Sequence, residues 1–128
     1  MNILYVHHVA IICSDYAVSK HFYTEILGFR IIAETFRTER QSYKLDLAVC
    51  PTTQIELFSF PSPPPRPSRP EACGLRHLAF AVENIELTKQ ELEAKGIAVE
   101  AIRIDELTGK KFTFFADPDG LPLEIYEH

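Results

Sequence analysis

The sequence predicts an α+β fold made of two βαβββ modules in tandem. Three observations carry the prediction: an internal repeat, matched cap residues around one helix in each half, and a proline-rich stretch between the halves. The repeat emerges when HHVAIICSDYAVSKHFYTEILGF, from His7, is set against RHLAFAVENIELTKQELEAKGI, from Arg76. In each copy a histidine, His8 or His77, opens an apolar run (VAIIC or LAFAV) that reads as a strand. Seven residues after that histidine stands a helix-capping type, Asp15 or Asn84. Each amphipathic segment then ends at a glycine, Gly28 or Gly96, the residue favoured just past a helix C-terminus. Val18, Phe22 and Ile26 form the expected buried stripe of the first helix. Ile85, Thr88 and Leu92 form that of the second.

Three strand-like runs follow each helix: FRIIAETF, YKLDLAV and QIELFSF in the first half, IAVEAIRI, KFTFFA and LPLEIYE in the second. The last two are joined by Asp117-Pro118-Asp119-Gly120, where proline presets φ and glycine tolerates a positive one. The intervening FPSPPPRPSRPEACG can be neither helix nor central strand and is expected as an extended connector. The reading is therefore one domain over 1–128, with modules 1–60 and 75–128 and a connector 61–74.

Composition narrows the function classes. With 128 residues the chain is long enough for a genuine core, and 46% hydrophobic against 24% charged residues is a soluble globular balance. A net charge of -5 argues against nucleic acid as a partner, and no apolar run approaches a membrane span. The N-terminus lacks a basic region followed by a cleavage site. The three cysteines, Cys13, Cys50 and Cys73, form no CxxC pair. Both features fit a reduced, cytoplasmic protein. Cys73, four residues before His77, is read as a loop or buried thiol rather than a ligand.

The chemistry lies in a second register that the repeat exposes. Glu56 follows His8 by 48 residues and Glu124 follows His77 by 47, each glutamate in the final strand of its half. Strand side chains alternate between faces. His8 thus shares a face with Ala10 and Ile12, and each glutamate opposes two apolar neighbours, Ile55 and Leu57 or Leu123 and Ile125. The apolar faces are expected to pack on the helices, leaving the polar exceptions to turn toward a common cavity. Two imidazoles and two carboxylates suit a borderline divalent ion (Ni, Zn, Co, Fe or Mn) and leave two positions of an octahedral ion open for water or substrate. His7, His21 and His128 are not expected to be ligands. Phe58, Phe114 and Tyr126 belong either to the pocket lining or to the core.

The start motif, with FYTEILGF closing the first helix, and the end motif, FFADPDGLPLEIYE, together resemble the glyoxalase / bleomycin-resistance / extradiol-dioxygenase superfamily of vicinal-oxygen chelators, over nearly the whole chain. That resemblance implies paired modules forming a cup around one divalent metal, with His8, Glu56, His77 and Glu124 as ligands. Their His/Glu/His/Glu order is most similar to bacterial glyoxalase I. It further implies a lyase or isomerase acting on a thiol–α-keto aldehyde adduct or a similar small molecule with adjacent oxygens, through a metal-stabilised enediolate. Glu124 would be the principal base and Glu56 its counterpart. An acyl-thioester epimerase, or a metal-dependent binding or resistance protein without turnover, are the alternatives. A homodimer is expected, since related modules from two chains commonly complete one site. Ile12 stands where glyoxalase I commonly has an arginine that contacts glutathione. Arg66, Arg69 and Arg76 are candidate anion contacts in its place, or solvated charges of the connector.

Overall fold

Both βαβββ modules are present in the computed structural model, which describes residues 1–128. The chain divides into two units, Met1–Pro65 and Arg66–His128. In the first unit β1 (His8–Cys13) leads to helix α1 (Tyr16–His21) and a π-helical turn (Phe22–Ile26). The strands β2 (Arg30–Arg37), β3 (Ser42–Cys50) and β4 (Thr53–Ser59) follow. The second unit repeats the order with β5 (Leu78–Val82), α2 (Ile85–Ala94), β6 (Arg103–Ile104), β7 (Lys111–Ala116) and β8 (Pro122–Glu127). Each unit folds its strands into one four-stranded sheet, in the orders β1-β4-β3-β2 and β5-β8-β7-β6. In each, the first strand lies parallel to the last and the remaining pairs are antiparallel.

The helices start where the sequence places their caps. Asp15 accepts a hydrogen bond from the Val18 amide at 3.2 Å, and Asn84 from the Leu87 amide at 2.8 Å, each satisfying one otherwise orphaned N–H of the first turn. They stop at Gly28 and Gly96, whose φ values of 76° and 83° a side chain would oppose. The cores form on the helix side of each sheet. Ile11, Cys13, Leu45, Leu47, Ile55 and Leu57 are buried in the first unit, and Ile85, Leu92, Phe115, Leu123 and Ile125 in the second. Each fully buried Leu or Ile contributes about 1.5–3 kcal/mol.

Two expectations are corrected. Of the stripe Val18, Phe22, Ile26 only Phe22 is fully buried. Val18 is 50% exposed and Ile26 half-buried, while Ser19, Phe22 and Tyr23 are buried. Ser19, Phe22 and Tyr23 stand at i, i+3 and i+4, and half-buried Ile26 and Leu27 continue the same helical face, which lies about one residue round from the expected stripe. The run IAVEAIRI is a strand only at Arg103–Ile104. Upstream, the Thr113 hydroxyl donates to the carbonyls of Glu100 (2.8 Å) and Ala101 (3.3 Å), taking acceptors that a regular ladder would use. The connector carries no helix or strand, and no helix is long and apolar enough to cross a membrane.

Candidate functional site

Parallel pairing of β1 with β4 sets the first pair of candidate ligands. Ala10 faces Glu56 across the ladder, so His8 lies two residues along the same face. His8 Nε2 sits 2.8 Å from Glu56 Oε2. In the second unit Ala79 faces Glu124, and His77, just before β5, takes the equivalent diagonal with Nε2 3.0 Å from Glu124 Oε2. All four residues lie on the sheet face away from the helix. The structure thus brings His8 to Glu56 and His77 to Glu124. No group of three or more His, Cys, Asp or Glu side chains is gathered in ligating positions. His7 makes its own contact, with Nδ1 2.9 Å from His8 Nδ1, while Cys73 is an exposed thiol.

The donor chemistry fits a divalent ion. Two ligand atoms bound at right angles to an ion at ~2.1 Å lie about 3 Å apart, close to the nitrogen–oxygen separations of both pairs. Each pair also offers one neutral-type imidazole and one carboxylate, the donors a borderline cation accepts. His77 Nδ1 is buried without a hydrogen-bond partner, so the ring is held by Glu124 on one side and by Phe114 in an edge-on contact at 5.1 Å.

The two pairs differ in what surrounds them, and of the residues responsible the sequence pattern singled out only Phe114. In the first unit Asp46 faces Glu56 across β3, and Lys44 Nζ reaches Glu56 Oε1 at 2.7 Å and Asp46 Oδ1 at 3.0 Å. These two bonds hold the Lys44 ammonium above its ordinary pKa, with Glu56 the larger cause. Both oxygens of Glu56 are thereby engaged. In the second unit Phe114 and Phe112 stand at the corresponding positions of β7, so Glu124 is 8% exposed and engaged only through Oε2. The signal was available, since Lys44 and Asp46 alternate on the strand that hairpins onto Glu56. Reading it required the register.

A cavity of about 1010 Å³ opens beside His77 within the second unit, lined by connector residues together with Arg103 and Phe114. Arg66 does not serve there as a free cation. Its Nη2 donates to the carbonyls of Leu75 (2.7 Å) and Arg76 (3.1 Å), pinning the connector to the segment just past its end. Arg103 lies over the rings of Phe112 and Phe114, 5.0 Å and 5.4 Å from their centroids. Of the aromatic candidates, Phe114 lines this cavity. Phe58 lies beneath the Arg37 guanidinium at 4.8 Å, and the Tyr126 hydroxyl donates to Asp105 at 3.0 Å.

Comparison with known proteins agrees with this architecture. The chain is 63% identical over 122 residues to the uncharacterized protein YwkD of Bacillus subtilis, covering 95% of each chain. It is 61% identical to the uncharacterized protein YaeR of Escherichia coli at the same coverage. A more distant relative, 2-epi-5-epi-valiolone epimerase of an Actinomyces species, is 28% identical, over 94% of this chain and 77% of that one. The crystal structure of a glyoxalase family protein from Enterococcus faecalis superposes with a TM-score of 0.90 at 51% identity, covering 96% of this chain and 97% of that one. Residues 5–125 match the model of one family, and the chain belongs to it: the Glyoxalase/Bleomycin resistance protein/Dioxygenase superfamily.

Proposed function

We propose that the protein is a metal-dependent lyase or isomerase of the glyoxalase I type, acting on a small molecule with two adjacent oxygens. The observation that carries this reading is the repetition of one imidazole–carboxylate pair, in the same register, on the open face of both sheets. His8, Glu56, His77 and Glu124 would hold one divalent ion, contributed by two modules of one chain or of two chains in a homodimer. When bound, such an ion supplies Lewis acidity that favours loss of a proton from carbon beside the oxygens.

The chain's own residues divide the remaining work. Glu124 takes the proton from one carbon and returns it to the next, because only one of its oxygens is engaged and Phe112 and Phe114 exclude water around it. Glu56, gripped by His8 and Lys44, is less free to move and serves chiefly as a ligand. A second reading, an epimerase that returns the proton to the opposite face of the same carbon, uses the same groups. It is favoured by the relationship to 2-epi-5-epi-valiolone epimerase.

Elemental analysis with substrate hydrogen exchange in heavy water tests both readings. The expected result is about one divalent ion per site, lost in His8→Ala and in His77→Ala but retained in His7→Ala. Mixing the two deficient chains restores up to half the metal if a dimer shares its sites. Glu124→Gln keeps an oxygen ligand but removes the base, so exchange should fall by ~10²–10⁴ with the metal largely retained. Full exchange in metal-loaded Glu124→Gln overturns the assignment. Ligand binding without exchange in any thiol–aldehyde or acyl-thioester screen replaces the enzyme by a binding protein.

A further inference from the structure

We propose that the cavity beside His77 is an anion-binding subsite, and that the small molecule the protein handles carries a phosphate monoester or carboxylate remote from its reacting oxygens. For the identity of that molecule the proposal rests on the reading above; the subsite itself rests on the charges that line the cavity. The chain has a net charge of -5, yet this cavity gathers Arg66, Arg69, Arg76 and Arg103 against only two carboxylates, Glu71 and Glu100. A concave wall with an excess of positive charge focuses its field on the space it encloses, so the contrast with the chain's net charge favours an anionic occupant.

The four guanidinium groups are not equivalent. Arg66 is committed to the backbone carbonyls of Leu75 and Arg76 and builds the wall. Arg69 forms no ion pair or hydrogen bond within the chain. Arg76 pairs with Glu71, and Arg103 with Glu100, each at 3.1 Å between largely exposed side chains. Exposed pairs of that kind contribute little, so a better acceptor can displace them. Arg103 is the best placed. Phe112 and Phe114 support the flat guanidinium, and Glu100 accepts from only one of its nitrogens. A planar cation with unused edge N–H groups suits the paired oxygens of a phosphate or carboxylate. Phe114 also packs edge-on against His77, and both line the cavity, so the anion site and the imidazole of the proposed metal pair open onto one space.

Calorimetric titration at low ionic strength tests the subsite. Four probes share a three-carbon frame: glycerate 3-phosphate, glycerate, glycerol 3-phosphate and glycerol. The phosphate-bearing probes are expected to bind, glycerol is not, and glycerate reports whether a carboxylate alone suffices. Arg69→Gln and Arg103→Gln should each weaken glycerate 3-phosphate by about tenfold, the worth of a charge-assisted bond, and the double variant by more. Arg40→Gln, outside the cavity, should change nothing. Metal content, measured for every variant, separates the two hypotheses. If the wild type holds no metal but binds phosphate through Arg69 and Arg103, the subsite stands and the metal reading falls. Wild-type affinity in the Arg69/Arg103 double variant, or equal affinity for glycerol, overturns the subsite whatever the metal content.

Discussion

Replacing Asp117 by alanine should destabilise the protein by about 3 kcal/mol, and the structure shows where that number comes from. Asp117 is buried at the start of the turn between β7 and β8, and its Oδ1 accepts from the amides of Asp119 and Leu121, each at 2.9 Å. Hydrogen bonds to a charged acceptor are worth ~1.5–3 kcal/mol apiece. The Asp119 amide is partly accessible and regains water when the carboxylate goes, so its share is the smaller. Leu121 is 5% exposed and its amide stays unpaired, so the full cost of a buried orphan donor falls there. The backbone bonds of the turn, Gly120 N–H to Asp117 O and Asp117 N–H to Leu121 O, both 3.0 Å, survive the substitution, so the change isolates the side chain. For a chain of this size the loss corresponds to a fall in Tm of roughly 10 °C. Urea unfolding followed by circular dichroism measures it directly, with Asp117→Asn as the companion that keeps a neutral acceptor and should lose only about 1 kcal/mol. An Asp117→Ala protein within ~0.5 kcal/mol of wild type, or equal losses in both variants, would refute the reasoning. Because Leu121 immediately precedes β8, whose third residue is Glu124, metal affinity should weaken with Asp117→Ala as well.

Two further outcomes follow from the local electrostatics. Lys44→Met should tighten divalent metal binding about three- to tenfold in competition dialysis, since the ammonium occupies Glu56 Oε1 and repels a cation there; unchanged or weaker binding in a folded variant would show that Lys44 supports the site instead. Cys50 is exposed, and hydrogen bonds from the Thr52 backbone, the Thr52 side chain and then Thr53 bring its pKa down to about 7. Its alkylation by iodoacetamide should therefore rise through an inflection near pH 7, while Cys13, buried at 1% exposure, stays unmodified in the native protein; an inflection above pH 8 would contradict that thiolate stabilisation.

By itself the sequence determined the repeat, the caps at Asp15 and Asn84, the glycine stops and the two His/Glu pairings, because each is a local signal written in a fixed period or spacing. Strand alternation put His8 and Glu56 on one face, and parallel pairing of the first and last strands brought them together. What escaped the sequence required knowing which neighbours the fold sets against each residue. The first helix buries Ser19, Phe22 and Tyr23, an i, i+3, i+4 face in which a small serine and a tyrosine take the places that apolarity alone assigned to Val18 and Ile26. The neighbours that make the two pairs unlike, Lys44 and Asp46 beside Glu56 but Phe112 and Phe114 beside Glu124, were fixed by which residues face each other across the antiparallel ladders. Arg66 changed from a possible ligand contact to a structural clamp, and Arg103, unremarkable in the sequence, became the best-placed cation of the cavity. A guanidinium's role depends on which acceptors and rings the folded chain sets against it. Those partners lie nine to eleven residues away in the sequence, a separation at which only the tertiary fold decides contact.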